Sequence, residues 1–411
     1  MLPYFIGENM KNYFDAIIIG GGASGLMCAI SAKLNDSKLN IAIIEKNDRV
    51  GKKLLSTGNG RCNLTNNNVA EGKYTGSFSQ IADVLERYDT PALLDYFNNL
   101  GLLTFCDNEG RYYPASKQAS SVLDVLRFNC ERLGVDIICN QTIRSLSKSG
   151  KGFAVKTADG VINCEKLVIC CGSKAAPKLG GSASGLDYLK NFGHTVVPFS
   201  PALCPVKVDS AVLKSLKGLR AAGKASLFRN AELIKEESGE IQFTENALSG
   251  ICVFNLSLYA KENDVIKLDL VNNISFEELY NHLENNKERF GFLTADNIFT
   301  GILQKRLAQA VVKQSGTGFN KNISELTDNE LKTLTKTAKN MEFKVTGKSG
   351  FEQAQCALGG VKGNELDGKT MMSKKVNNLY VCGEAIDICG ECGGYNLHFA
   401  FASGMIAGES L

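Results

Sequence analysis

The stretch Phe14-Asp15-Ala16-Ile17-Ile18-Ile19-Gly20-Gly21-Gly22-Ala23-Ser24-Gly25 decides how the first part of this chain folds. Its opening six residues make a short, β-branched run of the kind that forms a buried parallel strand. The run ends in glycines, and residues 26–34 beyond them have the composition of a helix. A second apolar run at 41–44 ends in Glu45, twenty residues after Gly25. A Gly-x-Gly-x-x-Gly pattern alone is a weak signal, because small residues occur in many turns. Set between a strand and a helix, with an acid closing the next strand, it specifies a dinucleotide site. Gly20 permits the tight turn, Gly22 lets backbone N–H groups approach a pyrophosphate, and Gly25 lets the helix pack close to the sheet. The helix N-terminus adds partial positive charge at the phosphates. Glu45 is placed to accept hydrogen bonds from the ribose hydroxyls.

The residues beyond Glu45 separate the kinds of dinucleotide. A simple NAD dehydrogenase goes from the acid into another helix and strand. Here residues 46–66 form a long polar loop rich in Gly and Asn, with Lys46, Lys52, Lys53 and Arg61 at intervals. Such a loop suits a segment lying along an extended anionic cofactor, with backbone donors facing it. The tail of the chain returns to the same theme. An apolar run at 378–381 leads into Cys382-Gly383-Glu384-Ala385-Ile386-Asp387, then Gly393-Gly394-Tyr395-Asn396-Leu397 and a helical run over 398–407. A strand, a Gly-acid turn and a glycine-opened helix is the arrangement of flavoproteins of the glutathione-reductase type. The positive end of that second helix faces the edge of the flavin where negative charge gathers on reduction. FAD is therefore the expected cofactor.

GGGASGL (20–26), GKKLLSTGNGRCNLTN (51–66), FTENALSG (243–250), ALGGV (357–361), TMMSK (370–374) and LYVCGEAIDICGECGGYNLHFAFASGMIAG (379–408) resemble the BaiN/RdsA family of NAD(P)/FAD-dependent oxidoreductases, a group that includes aminoacetone oxidases. The resemblance covers the first ~65 residues, patches of the middle and much of the last ~60. It implies an α/β fold: a glutathione-reductase-type Rossmann FAD domain with an inserted small β-barrel and a helical subdomain. It implies that Gly22, Ala23, Glu45, Lys46, Arg61, Cys62, Asn63, Gly172, Gly383, Glu384, Asn396 and Leu397 line FAD. Gly20, Ser24, Gly25, Lys53, Gly60 and Gly394, from the same motifs, join that set. Thr142 and Ile143 fall where this fold lends backbone groups to the adenine. The chain departs from the family pattern after GGYNL, where His398 and Phe399 replace a glutamine and a larger aromatic. It also has Cys389-Gly390-Glu391-Cys392 in place of an Asp-rich turn, and no Trp at all.

The bulk properties bound the rest. In 411 residues, 44% hydrophobic and 22% charged excludes a disordered, fibrous or coiled-coil chain. Lys+Arg 46 against Asp+Glu 43 leaves a net charge of +3, spread along the chain. That balance gives no electrostatic reason to expect nucleic acid or an anionic membrane as partner. No apolar run approaches the ~20 residues that span a bilayer, and the start lacks the pattern of a signal peptide. A cytoplasmic protein with a small-molecule substrate is the expectation; the oligomeric state is left open. Met10 also suits an initiator, which would make residues 1–9 a dispensable arm. Fourteen cysteines are many, but several lie in apolar runs where Cys acts as a small hydrophobe, and reduced thiols are the default in such a compartment.

Between the two cofactor-binding pieces the pattern changes. Residues 153–155 and 161–171 read as strands, and Pro198, Pro201 and Pro205 punctuate a boundary. Short alternating runs at 225–228 and 240–243 suggest antiparallel strands. Residues 276–341 are helical in character, and 342–345 and 356–361 return to strand. The expected division is an FAD domain at 1–195 plus 376–411, a β-barrel substrate domain at 196–270 plus 341–375, and a helical subdomain at 271–340. Gly180–Gly185 resembles a second nucleotide loop, but no strand directly precedes it, and it reads as a loop near the FAD domain. NADH or NADPH, the expected electron donor, then docks transiently against the flavin.

Three side chains are candidates for chemistry. His398 opens the helix after GGYNL, where an imidazole can donate a proton or stabilise reduced flavin; the alternative is a structural histidine bonded to backbone. Tyr112, in Arg111-Tyr112-Tyr113-Pro114, can polarise a ketone oxygen with its hydroxyl. Cys392, with Cys389, has the CxxC spacing of a redox dithiol, and Cys62 is a further thiol near the site. His282 reads as a surface residue and His194 as a turn residue. No second CxxC or histidine pair completes a metal site. The segment Thr244–Gly250 is the expected substrate-facing backbone of the barrel. The reaction expected from the family is NAD(P)H-driven reduction of a carbonyl-activated C=C bond in an apolar substrate such as an oxo-steroid or oxo-bile acid. The alternative is an FAD-dependent, aminoacetone-like amine oxidase using O2. A flavoprotein that acts on RNA is disfavoured by the charge.

Overall fold

The computed structural model describes residues 11–411, so the second candidate start at Met10 and the arm before it lie outside the described residues. The chain divides into two compact units. One holds the described residues up to Ser200 together with Cys356–Leu411; the other is Pro201–Gln355.

The first unit is built on a seven-stranded sheet. Its central strand β1 (Tyr13–Ile19) pairs in parallel with β2 (Ile41–Ile44) on one side and Val161–Ile169 on the other, with Ile17 opposite Ala42 and Leu167. Asp136–Ile138 extends the sheet beyond β2, and Gly152–Lys156 and Ser145–Ser149 fold back antiparallel beyond Val161–Ile169. Covered on both faces, β1 has no polar side to show, which is why its apolar run is continuous rather than alternating. The helix α1 (Ala23–Asn35) follows β1 through the glycine turn.

The chain that leaves this unit at Ser200 and returns at Cys356 adds its last strand, Leu379–Val381, in parallel beside Val161–Ile169, with Tyr380 opposite Val168. Four parallel strands therefore end at one edge, and backbone bonds stitch their exits together. Gly20 N–H donates to Ile44 O at 2.9 Å, Cys170 N–H to Ile19 O at 2.8 Å and Cys382 N–H to Ile169 O at 3.1 Å. Crevices at the carboxyl edge of such sheets are where ligands bind. The C-terminal helix, Tyr395–Glu409, starts directly after Gly394, three residues before the expected helical run. It lies against α1 with no room for side chains between the backbones. A Cβ on Gly404 would sit 2.4 Å from Ser24 O, and one on Gly408 2.4 Å from Cys28 O.

The second unit contains a closed six-stranded antiparallel barrel, in the order Val206–Asp209, Ala247–Ser249, Glu232–Phe243, Arg220–Arg229, Val265–Asp269, Met341–Lys348. Alternation sends Met341, Phe343 and Val345 inward and Glu342 and Lys344 out. The helices Phe276–Arg289, Lys305–Ser315 and Asp328–Lys339 pack onto it. Ser275 with Glu278 and Thr327 with Glu330 form capping boxes that start the first and last of them.

Two boundaries differ from the sequence expectation. The strand Cys356–Val361, expected in the barrel, belongs to the first unit and pairs with Val196–Ala202. Asp387 fastens it there, accepting from Gly359 N–H at 3.0 Å through its carboxylate and donating its own N–H to Val361 O at 2.9 Å. The helices expected as a separate subdomain share one core with the barrel: Leu279 and Leu334 lie in the same cluster as Leu268 and Phe343.

Candidate functional site

The glycine turn divides its three positions by what surrounds them. A Cβ on Gly20, whose φ is +105°, would meet Cys170 O at 2.4 Å, and one on Gly25 would meet Gly20 O at 2.0 Å. The fold itself requires those two glycines. A Cβ on Gly22 would meet nothing within 4 Å, so that glycine borders open space. Gly22 is also the N-cap of α1, where no side chain caps the helix and no acid sits in the first turn. Orphan N–H groups at such a helix start suit an anion. Ala23 and Ser24 belong to the same turn.

Glu45 is buried, and its carboxylate organises the floor of the turn. One oxygen accepts from Gly21 N–H at 2.9 Å, the other from the backbone and side-chain N–H of Asn47 at 2.8 and 2.7 Å. The segment after Asp136–Ile138 runs alongside, with Gln141 N–H donating to Glu45 O and Asn140 N–H to Asn47 O, both at 2.9 Å. Thr142, exposed, and Ile143, half-buried, follow directly in sequence. Lys46 is exposed.

The Gly-Asn loop owes its path to left-handed residues. Gly58, Asn59, Gly60 and Cys62 have φ of 56°, 55°, 80° and 58°, a conformation costly for the two that are not glycine. Arg61 is exposed, and its guanidinium lies 4.8 Å over the Tyr113 ring. Cys62 is fully buried, and burial pushes its thiol up to about 12, away from the thiolate form. Asn63 Oδ1 is buried without a hydrogen-bond partner, and a Cβ on Gly394 would come within 2.8 Å of it. Such an orphan acceptor costs about 1–3 kcal/mol, and it suits a ligand that brings its own N–H. With the open space at Gly22 and the uncapped start of α1, the residues present fit FAD.

The C-terminal turn closes onto these parts. A Cβ on Gly383 would sit 2.8 Å from Ser24 Oγ, so this turn lies against the start of α1. Glu384 receives Lys53 Nζ at 2.6 Å and Ser173 Oγ at 2.7 Å. One carboxylate thus ties the short helix α2 (Lys52–Ser56), the segment after Val161–Ile169 and the C-terminal turn together. Ser173 was not among the residues expected to line FAD, although Gly172 directly before it was; Gly172 has a left-handed φ of 68°. Asn396 uses its amide to hold Gly390, accepting from its N–H at 2.9 Å and donating to its O at 2.8 Å. It therefore shapes the turn before Gly394. Leu397 is half-buried against the core.

The catalytic candidates fare differently. His398 is completely buried, with Nε2 2.9 Å from Tyr88 O and Nδ1 2.8 Å from Thr65 Oγ1. A carbonyl only accepts, so Nε2 carries the proton and Nδ1 accepts from the threonine hydroxyl. Burial pushes its pKa down to about 4. With both nitrogens committed and the ring neutral, it has no atom to offer a substrate, and the backbone-bonded alternative describes it. Tyr112 donates to Asn67 Oδ1 at 2.8 Å on an accessible rim. Cys392 is half-buried, but the CxxC partner is engaged elsewhere: Cys389 Sγ lies 3.1 Å from Cys356 Sγ. His194 follows the turn at 192–193, just before the strand Val196–Ala202. It is buried, with Nδ1 2.9 Å from Glu365 and Nε2 2.8 Å from Ser373 Oγ. His282 is exposed. Gly180–Gly185 leads into the helix Ser184–Asn191, and a Cβ on Gly180 would meet Asn47. Thr244 lies in the second unit, its hydroxyl bonded to Ala247. Among the described residues no group of three or more His, Cys, Asp or Glu is placed to hold a metal ion, and no helix is long and apolar enough to cross a membrane.

Comparison with known proteins gives a family match along nearly the whole chain. The model described as HI0933-like protein Rossmann domain matches residues 14–410. The 3-dehydro-bile acid delta(4,6)-reductase of Clostridium scindens is 33% identical over 401 residues, 96% of this chain and 98% of that protein. The ribosomal RNA dihydrouridine synthase of Escherichia coli is 29% identical over 401 residues, 97% and 98% of the two chains. Among solved structures, the 3-ketosteroid-delta4-(5alpha)-dehydrogenase of Rhodococcus jostii RHA1 superposes with a TM-score of 0.52 at 12% identity, covering 98% of each chain. At that identity the likeness concerns the fold alone.

Proposed function

From the premise that this chain belongs to the HI0933-like Rossmann family of flavin-dependent oxidoreductases, we propose that it reduces a C=C bond conjugated to a carbonyl, in the cytoplasm, with NADH or NADPH as electron donor. The observation that carries this reading is the 33% identity to a delta(4,6)-reductase of 3-dehydro-bile acids, sustained over 96% of this chain. The names of the two curated relatives point to one chemistry on two scaffolds. A 3-oxo-4-ene and the pyrimidine ring of uridine both carry an alkene conjugated to a carbonyl, and both reductions add two hydrogens across it. The substrate class is the finer question, and an apolar oxo-steroid or oxo-bile acid is our first choice.

FAD, when bound, supplies the two-electron carrier between nicotinamide and alkene. The chain's residues do the rest by position. The uncapped N-terminus of α1 would hold anionic phosphate beside Gly22, and Glu45, whose carboxylate already accepts from Gly21 and Asn47, would hold the ribose end with its remaining lone pairs. Lys53 and Glu384, bonded to each other, fix the turn that precedes the C-terminal helix. That helix presents its positive N-terminal end behind Gly394. Tyr112 is the candidate to bond the substrate's carbonyl oxygen, for which its hydroxyl need only leave Asn67. His398 acts through the helix it anchors, and Cys392 is given no step.

RNA is the second reading, favoured by the 29% identity to an rRNA dihydrouridine synthase; the net charge of +3 gives it little electrostatic help. The two readings separate on products. Incubated anaerobically with reduced nicotinamide, the enzyme is expected to convert a 3-oxo-4-ene bile acid to a product two hydrogens heavier and to leave uridine-containing rRNA unchanged. Dihydrouridine in the RNA with an untouched bile acid would replace the first reading by the second.

A further inference from the structure

Cys389 was of interest for its CxxC spacing with Cys392, yet its sulfur meets a different one. Cys356 Sγ lies 3.1 Å from Cys389 Sγ, across 33 residues of sequence. We propose that Cys356 and Cys389 form an oxidisable dithiol that closes to a disulfide in the presence of hydrogen peroxide.

Both sulfurs belong to the first unit and stand on strands that are already fixed against each other. Cys356 opens the strand Cys356–Val361, and Cys389 is the middle residue of Ile388–Gly390. Asp387, directly before the second strand, clamps the first through Gly359 and Val361. Gly360 has no space for a Cβ because the backbone of Ile386 and Asp387 fills it, at 2.4 Å. The two thiols thus have little freedom to separate. Bonding shortens the sulfur separation to about 2.05 Å, a movement of roughly 1 Å.

The chemistry balances in two steps. Cys389 Sγ attacks a peroxide oxygen, becoming a sulfenic acid and releasing water. Cys356 Sγ then attacks Cys389 Sγ, the S–OH bond breaks, and a second water leaves with the thiol proton. Two thiols lose two hydrogens, and one peroxide becomes two waters. Burial, together with the adjacent Cys389 sulfur, pushes the Cys356 thiol well above its ordinary range, so its thiolate is scarce and the second step is slow. Both residues are buried, so the reaction is slow and favours an oxidant as small as peroxide. The exposed Cys106 is oxidised first. Ile388–Gly390 follows closely in sequence on Glu384 and its turn, so the cross-link forms on the same C-terminal segment.

The test is peptide mapping of the full-length wild-type protein, treated with hydrogen peroxide, unfolded with iodoacetamide and digested without reductant. The expected result is a linked pair of peptides joining Cys356 to Cys389, lost when dithiothreitol is added before digestion. Cys392→Ser keeps the linked pair, while Cys356→Ser and Cys389→Ala each lose it. The proposal fails if Cys389 is found joined to Cys392. It fails equally if oxidation links only the neighbouring thiols Cys28, Cys170 and Cys382, or if Cys356 and Cys389 are both recovered alkylated. The wild-type map decides the matter even where a variant does not fold, and it does not depend on which substrate the enzyme takes.

Discussion

Replacing Gly22 and Gly25 separately by alanine distinguishes a glycine required by a ligand from one required by the fold. Gly22 has φ −84° and ψ −165°, an extended conformation that alanine adopts without strain. Its added Cβ would touch nothing within 4 Å. The flavin-free Gly22→Ala protein is therefore expected to keep its stability to within about 0.5 kcal/mol. The methyl group does occupy the space in which a phosphate must approach the start of α1. A hydrogen bond from a backbone N–H to a charged group is worth about 1.5–3 kcal/mol, so losing one weakens FAD binding by roughly 10- to 150-fold. Gly25→Ala behaves in the opposite way. Its Cβ, 2.0 Å from Gly20 O, forces backbone apart and costs stability at the upper end of the ~1–3 kcal/mol range for overpacking, with or without flavin. Deflavinated protein, denatured in urea and separately titrated with FAD by calorimetry, reads both quantities. A Gly22→Ala protein that bound FAD as tightly as the wild type would refute the placement of the phosphates, and one that unfolded without FAD would refute the reading of open space.

Individual contacts lead to other expected outcomes. Glu384→Ala leaves Lys53 and Ser173 without their shared acceptor, and flavin absorbance per protein after dialysis is expected to fall, with FAD affinity down about tenfold and the far-UV spectrum unchanged. His398 has its pKa lowered from 6.5 to about 4, so between those values the unfolded chain binds the proton and the native one does not. Its contribution is then complete above pH 6.5 and is lost as pH falls toward 4, by about 3 kcal/mol over the window. Denaturation midpoints between pH 7 and 4.5 should drop more steeply for the wild type than for His398→Gln. Gly404→Val pushes a side chain into Ser24 O, 2.4 Å from the Cβ position. It is expected to destabilise the first unit by about 3 kcal/mol, read as a lowered urea midpoint.

How far the sequence carried depends on the range of each signal. β1, the glycine turn, α1 and β2 were legible because each is set by neighbours within a few residues, and the strand expected at 41–44 is the one observed. The C-terminal strand and helix were legible for the same reason, although the helix starts at Tyr395 because Gly394, with φ 104°, is already its cap. The inward-outward alternation of 342–345 marked a barrel strand. Cys356–Val361 gave no such mark. A strand apolar on both faces fits either unit, and its assignment rests on Asp387, some thirty residues away. The CxxC spacing misled because a local motif cannot report a partner at Cys356. For His398 the sequence offered a backbone-bonded structural role as one of two alternatives but not the partners, since Thr65 and Tyr88 are brought to it only by the fold.

The proposed reaction has reduced nicotinamide drive reduction of an activated alkene at this site. The most direct measurement is anaerobic flavin absorbance of the purified protein, with NADH, NADPH and aminoacetone offered separately, followed by a 3-oxo-4-ene bile acid. A nicotinamide is expected to bleach the flavin, and the bile acid to restore its colour in step with appearance of the saturated product. Bleaching by aminoacetone alone, with colour returning only on admission of O2, would contradict it.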